Sequence, residues 1–151
     1  GAHNFYRGGS LSYYSADIQN GLAKIKNPLE QKIATALWQD AIASSWQNKP
    51  VWLHGDFATG NMLVKDGKLH AIIDFGCLAV GDPACDLAIA WNLLDSSSRQ
   101  AFKDKLNLDN ETWIRGMGWT LWKTLCWPIE GTPVDHILNA LYTDYREQLK
   151  I

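Results

Sequence analysis

The sequence predicts an α+β domain that is mostly helical, with one small β-hairpin near its middle. Three observations predict it. Leu29, Ile33, Ala34, Leu37, Ala41 and Ile42 recur at the spacing of one helix face. Strand-like runs are confined to residues 51–75 and enclose the turn dipeptide Asp66-Gly67. The chain has 151 residues, 46% of them hydrophobic, which is enough for a single domain with a packed core.

The elements follow in order. Residues 1–14, rich in Gly, Ser and Tyr, read as irregular. A short helix is predicted over 15–26 with Ser15 as its N-cap, then a longer one over 28–47 with Pro28 in its first turn and Pro50 beyond its end. "VWLH" at 51–54 is a short strand; "NMLV" at 61–64 and "LHAIIDF" at 69–75 are two more, folded around "KDGK". "GDPACDLAIAWNLL" opens a helix, with Asp82 as N-cap and Pro83 at the first helical position. The remainder reads as helices over 97–106, 110–127 and 133–150, the last two separated by Pro128 and Gly131.

Composition narrows the function. A net charge of −2 gives no reason to expect nucleic acid as a partner. No apolar run approaches 18 residues, so no membrane span is predicted, and "GAHNFYRGGS" lacks an apolar signal core. Cys77, Cys85 and Cys126 are odd in number and show no CxxC spacing, which suits reduced thiols in a cytoplasmic protein and not a zinc site.

The chemistry concentrates in "HGDFATGN", His54 to Asn61, and "IIDFG", Ile72 to Gly76. Phosphoryl transfer needs an acid group to orient a hydroxyl and accept its proton. It also needs magnesium on the nucleotide phosphates, and magnesium prefers carboxylate and amide oxygens. Asp56, Asn61 and Asp74 supply that set, and folding the hairpin should make Asn61 and Asp74 neighbours. Asp and Asn are also common turn residues that cap their own backbone. An isolated D-x4-N would be read that way; the full run "LHGDFATGN", "IIDFG" and "GDPACDLA" moves the weight to function.

Together "HGDFATGN", "IDFG" and "GDPACDLA" resemble the C-terminal lobe of the aminoglycoside phosphotransferase family, small-molecule kinases with a protein-kinase-like fold. "FYRGGSLSYYSADIQNGLAKI" is similar to the stretch that leads into that lobe, so the resemblance covers nearly the whole chain; its central motifs are specific and its C-terminal helices are not. The resemblance implies that Asp56 is the catalytic aspartate. Asn61 and Asp74 would bind Mg2+ and, through it, ATP or GTP. His54 and Gly55 would shape the catalytic loop. Asp86 would be the buried carboxylate that accepts backbone N–H bonds from that loop, where its spacing alone fits a first-turn helix acid equally well.

Ala58 stands where a protein kinase carries a lysine, and only Cys77 to Val80 separate Gly76 from "GDP", too few for a peptide-docking activation loop. A small hydroxylated acceptor follows: an aminoglycoside, a macrolide, a choline-like amino alcohol or a sugar. No glycine-rich strand pair with a following lysine is present, and "RGGS" at 7–10 reads as a loop. The expectation is therefore one domain over 1–151, the catalytic and substrate-binding lobe without its N-terminal nucleotide lobe. Such a lobe would be inactive alone and would self-associate through the uncovered face. The alternatives are a non-catalytic kinase-like binding or assembly domain, and a metal-dependent hydrolase, which would lack the usual His-rich ligand set.

Other residues carry weaker signals. Trp113, Trp119, Trp122 and Trp127 read as packing in preference to a substrate wall. Glu130, Asp135 and Asp144 read as a solvated face in preference to a site for a cationic acceptor, His70 as structural and His136 as surface.

Overall fold

A computed structural model describes residues 1–128, 130–131 and 133–149. The N-terminal stretch forms two 3-10 turns, Ala2–Asn4 and Leu11–Tyr14. Ser10 caps the second of these turns, its hydroxyl accepting from the Ser12 N–H at 3.2 Å; helix α1 (Ser15–Leu22) begins at Ser15 itself and has no side-chain cap, so the predicted Ser15 cap does not form. In α2 (Pro28–Ala43), Asn27 accepts from the Leu29 N–H at 3.0 Å and Pro28 takes the first position. The helix stops at Ala43, short of the predicted 47, because the chain becomes extended at Ser44 (φ −111°, ψ 165°).

Two antiparallel ribbons follow, where the sequence predicts a single hairpin. Strand β2 (Met62–Lys65) pairs with β3 (Lys68–Ile72), Met62 opposite Ile72. Asp66 and Gly67 join them with φ of 51° and 71°, the two positive values of a type I′ turn. Strand β1 (Val51–Leu53) pairs with β4 (Ala79–Gly81), Trp52 opposite Val80. β3 ends at Ile72 and not at Phe75, because Asp74 turns left-handed (φ 61°, ψ 64°).

Asp82 caps the next segment, accepting from the Ala84 N–H at 3.0 Å. That segment is a tight 3-10 turn, Pro83–Ala88, running into the short α3 (Ile89–Asn92), and not the uniform α-helix predicted. Helices α4 (Ser96–Leu106), α5 (Asn110–Cys126) and α6 (Val134–Leu149) lie within a residue of their predicted bounds; Lys150, the last predicted helical residue, lies outside the described residues.

Helix α5 is the axis of the core, packing on α1, α2, α6 and the Pro83–Ala88 turn. Trp38, Leu37, Trp119, Met117, Leu121 and Leu141 are fully buried around it. A Cβ on Gly118 would sit 2.5 Å from the Ala41 Cβ, so a side chain there would force α5 away from α2. Trp113, Trp119 and Trp122 belong to this core, whereas Trp127 is exposed. Tyr145 on α6 donates to the Asp40 carboxylate on α2 at 2.5 Å; burial, with Asp40 adding, raises its pKa and keeps it a donor.

Two ion clusters fasten the helices. Arg115 meets Asp82 at 2.7 Å and also donates to Ser44 Oγ and Thr112 Oγ1, each at 3.0 Å. Arg99 meets Asp144 at 2.8 Å, and Trp91 Nε1 donates to the same carboxylate at 3.0 Å. Asp144 is therefore a structural counter-ion and not part of a solvated face, because Arg99, itself buried, needs a negative partner. Glu130, Asp135, His70 and His136 are exposed. Among the described residues no helix is long and apolar enough to cross a membrane, and all three cysteines are free thiols.

Candidate active site

The loop between β1 and β2 carries His54, Gly55, Asp56 and Asn61, and it is held from several sides. Asp86 accepts from the backbone N–H of His54 at 2.6 Å and of Gly55 at 2.9 Å. A carboxylate satisfied by two amides is a strong, directional anchor. Gly55 passes so close to the neighbouring chain that a Cβ on it would lie 2.1 Å from the Cys77 carbonyl oxygen, and its φ of 84° is one that glycine adopts freely.

The His54 ring works as a strut. Its Nδ1 accepts from the Asp56 N–H at 3.3 Å, which leaves the proton on Nε2, and Nε2 donates to the Ile73 carbonyl at 2.9 Å. With both nitrogens committed, the imidazole links the loop to the chain just before Asp74.

Asn61 makes the second link. Its Nδ2 donates to the Asp56 carbonyl at 2.8 Å, and its own carbonyl accepts from the Ile73 N–H at 3.0 Å. The ribbon thus sets Asn61 across from Ile73, with Asp74 as the next residue. The Asp74 carboxylate is exposed and, among the described residues, accepts the Gly76 N–H alone, at a long 3.4 Å.

The Asp56 side chain is 43% exposed and meets the Lys123 ammonium of α5 at 3.0 Å. Burial pulls the Asp56 pKa upward, but the Lys123 charge and hydrogen bond, with Arg7 and His54 adding, outweigh it and hold it below the ordinary aspartate value. The carboxylate is therefore ionised at neutral pH, and the pair dissolves only as the pH falls through that lowered value. Next to Asp86, burial pushes the Cys85 thiol up to about 12, which leaves it unreactive as a nucleophile.

A profile of the phosphotransferase enzyme family matches residues 5–119. The chain belongs to that family. It is similar to an aminoglycoside 3'-phosphotransferase of Escherichia coli, 28% identical over 115 residues, which are 64% of this chain and 42% of the relative. A second aminoglycoside 3'-phosphotransferase of Escherichia coli is 44% identical over 46 residues, 30% of this chain and 17% of the relative. One from Salmonella typhimurium is 40% identical over 60 residues, 38% of this chain and 22% of the relative. The matched segments thus span less than half the length of these curated relatives. No solved structure gives a significant match.

The phosphotransferase match covers the loop, both ribbons and the first half of α5, and the helices with their small ribbons form the C-terminal lobe of a kinase-like fold. Within this phosphotransferase lobe, Asn61 and Asp74 offer oxygen donors alone. Commitment of the Asn61 nitrogen to the Asp56 carbonyl turns its Oδ1 the other way, free to accept. Among the described residues no three His, Cys, Asp or Glu side chains form a cage for a metal. Two hard oxygen donors are of the type that would suit Mg2+, an ion that shares its sphere with water and phosphate oxygens.

Two cations near Asp56 have no signature in the local sequence. Lys123 lies 67 residues downstream, one place after the buried Trp122. The Arg7 guanidinium lies over the rings of Trp122 and Trp119, at 5.0 and 5.1 Å. The only available signal was helical spacing: Trp119 and Lys123 are four apart and lie on one side of α5.

Proposed function

We propose that this chain is the C-terminal lobe of a kinase that moves the terminal phosphate of ATP or GTP to a hydroxyl of a small molecule, with an aminoglycoside as the acceptor suggested by its relatives' names. The observation that carries this reading is the hydrogen-bonded circuit from Asp86 through His54 and Gly55 to Ile73, Asn61 and the Asp56 carbonyl. It fixes the backbone that carries Asp56, Asn61 and Asp74.

Asp56, ionised and partly exposed, orients the acceptor hydroxyl. A carboxylate of lowered pKa is a weak base, so it takes the proton late, as the new bond to phosphorus forms. Asn61 and Asp74 would hold Mg2+, which would neutralise the nucleotide phosphates. Positioning and charge supply most of the rate. The free thiols are in keeping with a cytoplasmic setting.

The test is a calorimetric titration of Mg-ATP and Mg-GTP into the two-lobed enzyme, wild type and Asp74→Asn, followed by transfer from γ-labelled nucleotide to a panel of hydroxylated acceptors. Affinity should fall at least about tenfold in the variant, about 1.4 kcal/mol, and label should appear on an acceptor. Label appearing only as free phosphate would overturn kinase activity in favour of hydrolysis.

A nucleotide lobe of the kind two-lobed kinases carry would cover the exposed ribbon face. Trp52 and Val80 are cross-strand partners 74% and 53% exposed, with Val64 and Phe75 also exposed. Sedimentation of the lobe alone should show self-association that Trp52→Ser reduces; a monomer at high concentration would count against this face.

A further inference from the structure

Lys123 reaches the site without belonging to its loop. Its side chain is only 16% exposed while that of Asp56 is 43% exposed, so the ammonium approaches from the protein side and the carboxylate looks outward. Arg7 is the other cation whose charge reaches Asp56; residues 54–64 and 69–98 contain no Lys or Arg. Arg7 is differently engaged. Its Nε and Nη1 are buried without hydrogen-bond partners, and its charge rests against the faces of Trp119 and Trp122.

A half-exposed ion pair contributes little to stability, so stability is a poor explanation for this lysine. The chemistry offers a better one. A hydroxyl bound to Asp56 puts its oxygen about 2.7 Å from the carboxylate. An ammonium on that same carboxylate then lies one further hydrogen bond from the group the hydroxyl attacks. Lysine has three N–H donors, and Asp56 takes one of them.

We propose that Lys123 is a catalytic residue: its ammonium contacts the phosphoryl group as it passes to the acceptor oxygen. This rests on the phosphotransferase reading given above. In the step, the acceptor oxygen forms a bond to phosphorus. The bond from phosphorus to the bridging oxygen breaks, and its electron pair leaves with the nucleoside diphosphate. The hydroxyl proton goes to Asp56. Lys123 keeps its proton throughout and offsets negative charge on the oxygens in transit.

The test compares Lys123→Met and Lys123→Arg with wild type in the two-lobed enzyme, using an acceptor that wild type phosphorylates. The methionine variant should lose about 100-fold in kcat, as when one charge-stabilising donor is removed. Its nucleotide KM should stay within about threefold of wild type and the arginine variant should recover part of kcat, a division that a merely structural lysine would not produce. If Lys123→Met fails to fold, Lys123→Gln is read in the same way. A kcat within about threefold of wild type, or a raised KM with kcat unchanged, overturns the role of Lys123. Absence of transfer by the wild type itself overturns the phosphotransferase reading, and with it this inference.

Discussion

Replacing Asp56 with alanine in the two-lobed enzyme is expected to abolish phosphate transfer, by ~10^3-fold or more, and to leave Mg-nucleotide affinity within about twofold. The contacts of Asp56 make the substitution clean. Its N–H donates to His54 Nδ1 and its carbonyl accepts from Asn61 Nδ2, and both are backbone groups that alanine keeps. The loop and the orientation of Asn61 should therefore survive, and what is lost is the carboxylate with its ion pair to Lys123. Steady-state turnover measured beside calorimetric nucleotide binding separates the two effects. Retained turnover would remove Asp56 from the chemistry, and lost nucleotide affinity would mean that it holds the metal as well.

The largest effect on stability is expected at Arg115. Arg115 and Asp82 are 4% and 8% exposed and joined at 2.7 Å. Arg115→Met leaves the Asp82 charge buried without its partner, which should cost about 3–5 kcal/mol in urea unfolding. The damage should extend beyond the pair. Asp82 also caps the Pro83–Ala88 turn, and that turn carries Asp86, the anchor of His54 and Gly55. Adding Asp82→Asn should recover much of the loss, since the orphaned charge is then gone. A single-variant cost under about 1 kcal/mol would mean that water reaches the pair.

The long helices and the loop motif were legible in the sequence because their signals are local. Asp82 caps where capping chemistry says it should, and Asp66-Gly67 turns the hairpin. The misses have a common cause, which is dependence on distant residues. β4 is three residues long and exists as a strand only because β1 pairs with it. The end of β3 is set by the left-handed turn at Asp74, a residue the sequence offered as part of a strand. Asp144 looked like surface charge until Arg99 met it from α4. For the site, the residue types of Asp56, Asn61 and Asp74 could be read directly, whereas Lys123 could not, since nothing beside it in the chain marks it.

The links that hold the loop also determine when it can form. Asp86 lies 32 and 31 residues from the amides of His54 and Gly55, and Lys123 lies 67 from Asp56. A growing chain that has just released His54 to Asn61 holds the loop's internal bonds, from Asp56 to His54 and Asn61, and none of its distant supports. Those arrive with the downstream turn and with α5, so the order of synthesis works against early assembly. Closing such long loops costs entropy before any contact repays it, which slows folding and concentrates it into one late event. The loop is therefore fully braced only once α5 has closed the core beside it.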